Sequence, residues 1–332
     1  VEILALGEDE KDFEKIEQAK INAGKAFFDQ TAEKIEFSEI VDIKVVPKEN
    51  GGSLQPTDIH SNSASAIFKN KELDQIDLDG NITVYQKPTA NDPRWTKTSA
   101  NRASVKIAKE VKRVELFENV DIQTTLNNEK PTKIKTQYAL YDKDADRFEL
   151  KNGVEILTNE SDKDTVIKSR DAVYEQTKGK ILLFGGAEVV QPGTNLRGDE
   201  ITAFLLVNKN IKSANVKGNA FLKQIEQDKT TEVSAGELNA IFDDARKLET
   251  ANTRGPSVAK LIPSNPETYS RVSLTAPNAI KLNFKSGNIY AMNTEGRTTI
   301  SMNSAETGAD ASDKTLTADT VKTIWSDGGK DL

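Results

Sequence analysis

The sequence predicts an all-β fold, an elongated and twisted β-jellyroll built as a solenoid-like repeat of antiparallel strands. Three observations carry that prediction. Apolar residues alternate with polar ones at a spacing of two. The alternating stretches recur at a nearly fixed period. A glycine, asparagine or glutamate sits in the middle of each.

The clearest copies are Ile76-Leu78-Gly80-Ile82-Val84, Val114-Leu116-Glu118-Val120-Ile122 and Phe148-Leu150-Asn152-Val154-Ile156. Ile181-Leu183-Gly185-Ala187-Val189 and Ala214-Val216-Gly218-Ala220-Leu222 follow, and Ile35-Phe37-Glu39-Val41-Ile43 is a fainter first copy. Residues two apart lie on one face of an extended chain. The central positions are separated by 41, 38, 34, 33 and 33 residues. A period in this range reads as a stacked array in which each unit buries its apolar face against its neighbours.

At the N-terminus, residues 1–19 read as a lead segment. Glu10–Lys20 is the one helix candidate, and a strand over Ile16–Ala23 competes with it. Each repeat then opens on a shorter strand, marked by Ala26/Phe28, Val105/Ile107, Ala139/Tyr141, Ala172/Tyr174 and Leu205/Val207. A six-residue polar segment follows, such as Asp29–Lys34, Asp142–Arg147 or Glu175–Lys180, with the residues that favour turns. The long pattern strand comes next. Its polar or empty centre, followed in most copies by Gly or Asn, predicts a bulge or sharp bend where the strand turns a corner. Each long strand is then two short strands on different walls of a curled sheet. Weaker copies centre on Gly255 and Gly296, with leading strands Leu238–Phe242 and Ala279–Phe284; Leu274-Thr275-Ala276 recurs as Leu316-Thr317-Ala318. The count is about eight repeats in one continuous domain, residues 20–325, with a tail at 326–332.

Composition removes several chemistries. Cysteine is absent and His60 is the single histidine. Zinc clusters and nucleophile–histidine pairs therefore have no basis, and no cofactor or metal is expected. A net charge of −7 argues against nucleic acid as the partner, while leaving room for small basic patches. No run approaches the ~20 apolar residues of a membrane helix. The first residue is Val1, which leaves room for a removed N-terminal signal or membrane anchor. Glu39 and Glu118 are the two carboxylates that the pattern points inward. They are either an acid pair of the glycosidase type or corner residues that reach solvent.

The segment Lys133–Gln224 carries a resemblance. It includes Gln-Tyr-Ala-Leu-Tyr-Asp before Phe-Glu-Leu-Lys-Asn-Gly-Val, then Asp-Ala-Val-Tyr-Glu before Ile-Leu-Leu-Phe-Gly-Gly-Ala, and Leu-Arg-Gly-Asp-Glu-Ile at Gly198-Asp199-Glu200. This alternation resembles the OstA-like repeats of the lipopolysaccharide-transport periplasmic bridge family, the LptA- and LptC-like proteins. It is clear over residues 60–224 and fainter over 20–47 and 235–325. The resemblance implies a periplasmic, non-enzymatic carrier of lipopolysaccharide or a related glycolipid, either soluble or anchored to the inner membrane. It implies acyl chains held inside the jellyroll and protomers or partner jellyrolls joined end to end through strand edges. The interior residues are then Ile76, Leu78, Ile82, Val84, Val114, Leu116, Val120, Ile122, Phe148, Leu150, Val154, Ile156, Ile181, Leu183, Val189 and Val216. From the residues alone, the same interior is either a closed core, with the chain a ligand-free structural or adhesive scaffold, or a lipid slot if its walls splay; the packed core is the favoured of the two. The strand edges expected to be open are Leu316–Trp325 and Ile21–Phe28. They would support head-to-tail self-association.

Overall fold

A computed structural model of the chain describes residues 1–6, 16–48, 55–70, 72–108, 110–125, 130–160, 163–206, 211–225, 227–243, 248–266, 269–285, 288–305 and 312–324. The protein is antiparallel β, with no helix among the described residues. It divides into two compact units, Val1–Asp164 and Thr165–Leu332.

The first unit opens with β1 (Glu2–Leu6), β2 (Ile16–Asn22), β3 (Lys25–Asp29), β4 (Lys34–Ser38) and β5 (Val41–Pro47). It continues with β6 (Thr57–Ser61), β7 (Ser63–Lys69), β8 (Glu72–Gln86) and β9 (Trp95–Ala108). It ends with β10 (Glu110–Thr125), β11 (Thr132–Asp142), β12 (Arg147–Lys151) and β13 (Val154–Glu160). The turns form where the polar segments predict them. In the β3–β4 hairpin the Asp29 carboxylate accepts the Thr31 and Ala32 amides, both at 2.9 Å, and the Asp142 carboxylate accepts Ala145 N–H at 2.9 Å. Such local bonds fix a turn without help from the core.

The pairing sorts these strands into two ladders. One runs β3, β4, β7, the first part of β8, the end of β9, the first part of β10, the end of β11 and β12. The other runs β1, β2, β5, β6, the end of β8, the start of β9, the end of β10, the start of β11 and β13. Each long strand therefore serves both ladders, changing from one to the other at its centre. There the register slips by one extra residue, between Asp79 and Ile82 in β8 and between Phe117 and Val120 in β10. The backbone explains the slip. Each of the six clear corners is a consecutive pair at positive φ: Glu39/Ile40, Gly80/Asn81, Glu118/Asn119, Asn152/Gly153, Gly185/Gly186 and Gly218/Asn219; the weaker centres Gly255 and Gly296 are single residues at positive φ. Two left-handed residues in a row turn the strand, and Gly and Asn adopt that geometry at least cost. Glu39, Ile40 and Glu118 are the exceptions; Ile40 is a β-branched residue at φ 63° that the first copy tolerates at an exposed position.

The second unit comprises β14 (Lys163–Ser169), β15 (Asp171–Glu175), β16 (Lys180–Gln191), β17 (Thr194–Leu205), β18 (Ile211–Ile225), β19 (Lys229–Phe242) and β20 (Leu248–Arg254). Then come β21 (Ser257–Pro263), β22 (Tyr269–Ala276), β23 (Ala279–Lys285), β24 (Asn288–Glu295), β25 (Thr298–Ser304), β26 (Lys314–Ala318) and β27 (Lys322–Ile324). The same scheme holds. β16, β17, β18 and β19 change ladders at their centres, with slips at Phe184/Ala187 and Lys217/Ala220. Past β19 the change falls between strands. β20 and β21 flank Gly255 and pair with opposite halves of β19, and β24 and β25 flank Gly296.

Two expectations change. Residues 16–20, within the helix candidate, are strand β2; residues 10–15 of that candidate lie outside the described residues. β2 pairs on both sides, with β1 and β5, so Ile21 and Asn22 are no edge. The N-terminal edges of the two ladders are β3, which pairs with β4 alone among the described residues and exposes Phe27 and Phe28, and β1, which pairs with β2 alone.

Candidate ligand-binding face

Strand alternation puts the five-point pattern on one face of each ladder, and in the first unit both faces meet in a single apolar cluster. The row nearest the corners on the first ladder runs Ala26, Phe37, Ala64, Leu78, Ala103, Leu116, Ala139, Leu150, each paired with the next or across a shared partner. Large and small side chains alternate along it, so each Leu or Phe fills the space left beside an alanine. The matching row of the second ladder includes Val41, Ile82, Ala100 and Val120.

Exposure rises with distance from the corner. Leu78, Ile82, Leu116, Val120 and Val154 are buried, as are Leu183 and Val216 in the second unit. One step outward, Ile76, Val84, Val114, Ile122 and Ile156 are only half-buried, and so are Ile181 and Val189; Leu150, last in the inner row of the first ladder, is half-buried as well. Phe148 corrects the expectation that it lies inside: it is 40% exposed. It sits at the hairpin end of β12, where its ring stacks on Tyr141 at 4.7 Å in place of entering the cluster. The second unit is tighter towards its C-terminal end. Its outer inward row is alanine at 203, 214, 240 and 251, all buried, and Val216, Ala276 and Ile280 have no exposed surface.

A further step outward on the second ladder lies a feature that the sequence reading missed. Thr57, Gln86, Thr96, Thr124 and Thr132 pair in succession across β6, β8, β9, β10 and β11, and Thr158 follows on β13. The Thr96 and Thr124 hydroxyls lie 3.1 Å apart, Thr124 donates to the Trp95 carbonyl at 3.2 Å, and Thr132 donates to Thr158 at 3.2 Å. The second unit repeats the row as Gln191, Thr194, Gln224 and Thr231. In a chain that is 29% charged, none of these positions carries a charge. A sequence signal existed: six residues after the corner stands Gln86, Thr124, Thr158, Gln191 or Gln224 in five of the six copies.

Charged groups occupy the outward faces. Glu118 bonds Arg102 at 2.7 Å and Asn101 at 3.4 Å, and the Arg102 bond holds its carboxyl below the usual range. Glu39 pairs with Lys25. Both carboxylates are more than half exposed, so the corner turns them to solvent. Outward on β10 and β11, Tyr138 donates to Glu115 at 2.6 Å, beside Arg113 at 3.0 Å. Burial, reinforced by the Glu115 carboxylate, pushes the Tyr138 hydroxyl up to about 12. For Glu115 the largest effect, burial, acts upward, but the Tyr138 and Arg113 hydrogen bonds outweigh it and hold the carboxyl low. His60 Nδ1 meets Asp42 at 2.8 Å on an exposed strand face. Among the described residues no three His, Cys, Asp or Glu side chains gather as a metal site, and no helix is long and apolar enough to cross a membrane.

A groove of about 680 Å³ runs along the β3 edge, with Lys25, Phe27, Lys34, Glu36 and Asp77 in its lining. Its mixed polarity sets it apart from the inner face. No family model matches the chain, and no curated protein matches it in sequence.

Proposed function

We propose that the protein is a non-enzymatic carrier of lipopolysaccharide or a related glycolipid, working in the periplasm, with acyl chains laid along the inner face of a β-jellyroll. The observation that carries this reading is the exposure gradient of the first unit. Ile76, Val84, Val114, Ile122 and Ile156 one step out from the corner, and Leu150 beside it, keep part of their aliphatic surface in water, more than the buried side chains at the corners do. An acyl chain laid over them would remove that surface from water at about 25 cal/mol per Å². The resemblance of the repeats to the OstA-like family points to the same ligand class. A photo-crosslinking residue at Ile122 or Leu150 is expected to capture glycolipid in a Gram-negative host, and lipid extraction of the purified protein to release it. Protein that carries no glycolipid and crosslinks none from either position is not a carrier.

A second reading, a ligand-free scaffold, draws on the second unit, where Val216, Ala276 and Ile280 are sealed. The two readings are compatible if the units divide the work, one opening for lipid and one acting as a spacer.

The edges support end-to-end partners, whether another jellyroll of the same kind or a second copy. β3 exposes Phe27 and Phe28, while β26 and β27, each paired with one neighbour among the described residues, expose Leu316 and Ile324. Unlike ends that pair do not close a ring by themselves, so the expected product is a concentration-dependent chain. Sedimentation velocity should show growing species that Leu316→Asp with Ile324→Lys abolishes. Wild-type protein that stays monomeric at every concentration does not self-associate through these edges.

A further inference from the structure

We infer that the threonine row of the first unit is the seat of the ligand's linkage region: the uncharged ester or amide carbonyls and hydroxyls that join acyl chains to a headgroup. The inference rests on the carrier reading above and adds the chemistry by which the ligand is recognised and oriented. The inner face is sorted by depth. Aliphatic side chains near the corner are buried, the next row is half-buried, and the row beyond is Thr96, Thr124, Thr132 and Thr158 on adjacent strands of the second ladder. An amphiphile with its chains on the aliphatic rows presents its first polar atoms at this height. Those atoms are linkage carbonyls, which accept hydrogen bonds and carry no charge.

A threonine hydroxyl fits that need, because it both donates and accepts and its proton turns to suit the partner. The strand spacing of about 4.8 Å places one hydroxyl per strand along the row. A row built for phosphate would carry arginine or lysine, and a face built for hydrocarbon alone would carry neither charge nor hydroxyl. The hydroxyls bond one another at 3.1 and 3.2 Å, contacts that a carbonyl can enter by accepting one of the protons. The hairpin ends of the first ladder carry Ile107 and Val111 at their paired positions. The polar row therefore lies on one ladder only, which sets the side to which the headgroup turns.

The test compares two synthetic glycolipids of the same chains and sugar, dipalmitoyl-glucosylglycerol and its dihexadecyl ether, which lacks the carbonyls. Binding from mixed micelles is read from Trp95 emission in a Trp325→Phe background, since Trp95 directly precedes Thr96 of the row and its main-chain carbonyl accepts from Thr124. The diester is expected to bind about tenfold tighter than the diether, a difference of roughly 1.4 kcal/mol. Thr124→Val with Thr132→Val should erase that preference and leave the diether's affinity in place. Thr124→Ser with Thr132→Ser should keep it. Equal affinity of wild-type protein for the two lipids, or a preference that survives the valine pair, overturns the linkage seat and leaves the carrier reading standing. Binding of neither lipid removes both. If the valine pair fails to fold by circular dichroism, the wild-type comparison still decides.

Discussion

Leu116→Ala is expected to destabilise the first unit by about 3–4 kcal/mol, in the upper part of the range for a buried leucine. Leu116 is 8% exposed and lies in register between Ala103 and Ala139. Two alanines cannot swing into the vacated space, and their backbones are fixed by ladder hydrogen bonds on both sides. The cavity therefore persists, and its cost adds to the lost transfer energy. Val114→Ala, two residues along the same strand and half-buried, should cost about 1 kcal/mol, because less surface returns to water. Urea unfolding, followed by hydrogen exchange of the β9–β11 amides, measures both. A loss at Leu116 no larger than that at Val114 would mean the two rows are equally open and would remove the depth gradient on which the carrier proposal stands.

That gradient marks the boundary of what the sequence made legible. Strand spacing identified the inner face, because a period of two is a property of the extended backbone alone. The corners were legible for a similar reason. Glycine and asparagine at 80/81, 152/153 and 218/219 answer to a backbone angle, and all six predicted centres have positive φ. Gly218 shows how little freedom remains there: a Cβ would stand 2.1 Å from Asp199 Oδ2. Depth was not legible. Val114 and Leu116 are alike as letters, and only the approach of the opposite ladder makes one half-exposed and the other buried. Phe148 was misplaced because its parity is right but its position beside a hairpin turn gives it Tyr141 as a partner. The threonine row was missed because a Thr or Gln at the end of an apolar alternation reads as the strand stopping. The pairing shows the strand continuing, with its inward side now polar.

A buried hydroxyl network was illegible for the same reason, and it supplies the other large expected effect. Thr253→Val should destabilise the second unit by about 2–3 kcal/mol although valine keeps the shape. Thr253 is 3% exposed, and its Oγ1 accepts the Ile280 amide at 2.7 Å and the Ser257 hydroxyl at 2.7 Å. Valine leaves that amide without a partner beside an isoleucine that has no exposed surface, so water cannot replace the bond. Ser257 keeps a second acceptor, the Gly255 carbonyl at 2.8 Å, and adds little to the loss. The chain contains its own comparison 41 residues on. Thr294 Oγ1 accepts Val321 N–H at 2.9 Å and the Thr298 hydroxyl at 2.8 Å, around Gly296 in place of Gly255. Val321 is half-buried, so water reaches its amide, and Thr294→Val should cost only about 1–2 kcal/mol. Thr253→Ser retains the oxygen and should recover most of the loss. Denaturant unfolding of the three variants ranks them. Equal losses at 253 and 294 would show that orphaned amides do not set the cost, and no recovery with serine would assign it to packing of the threonine methyl.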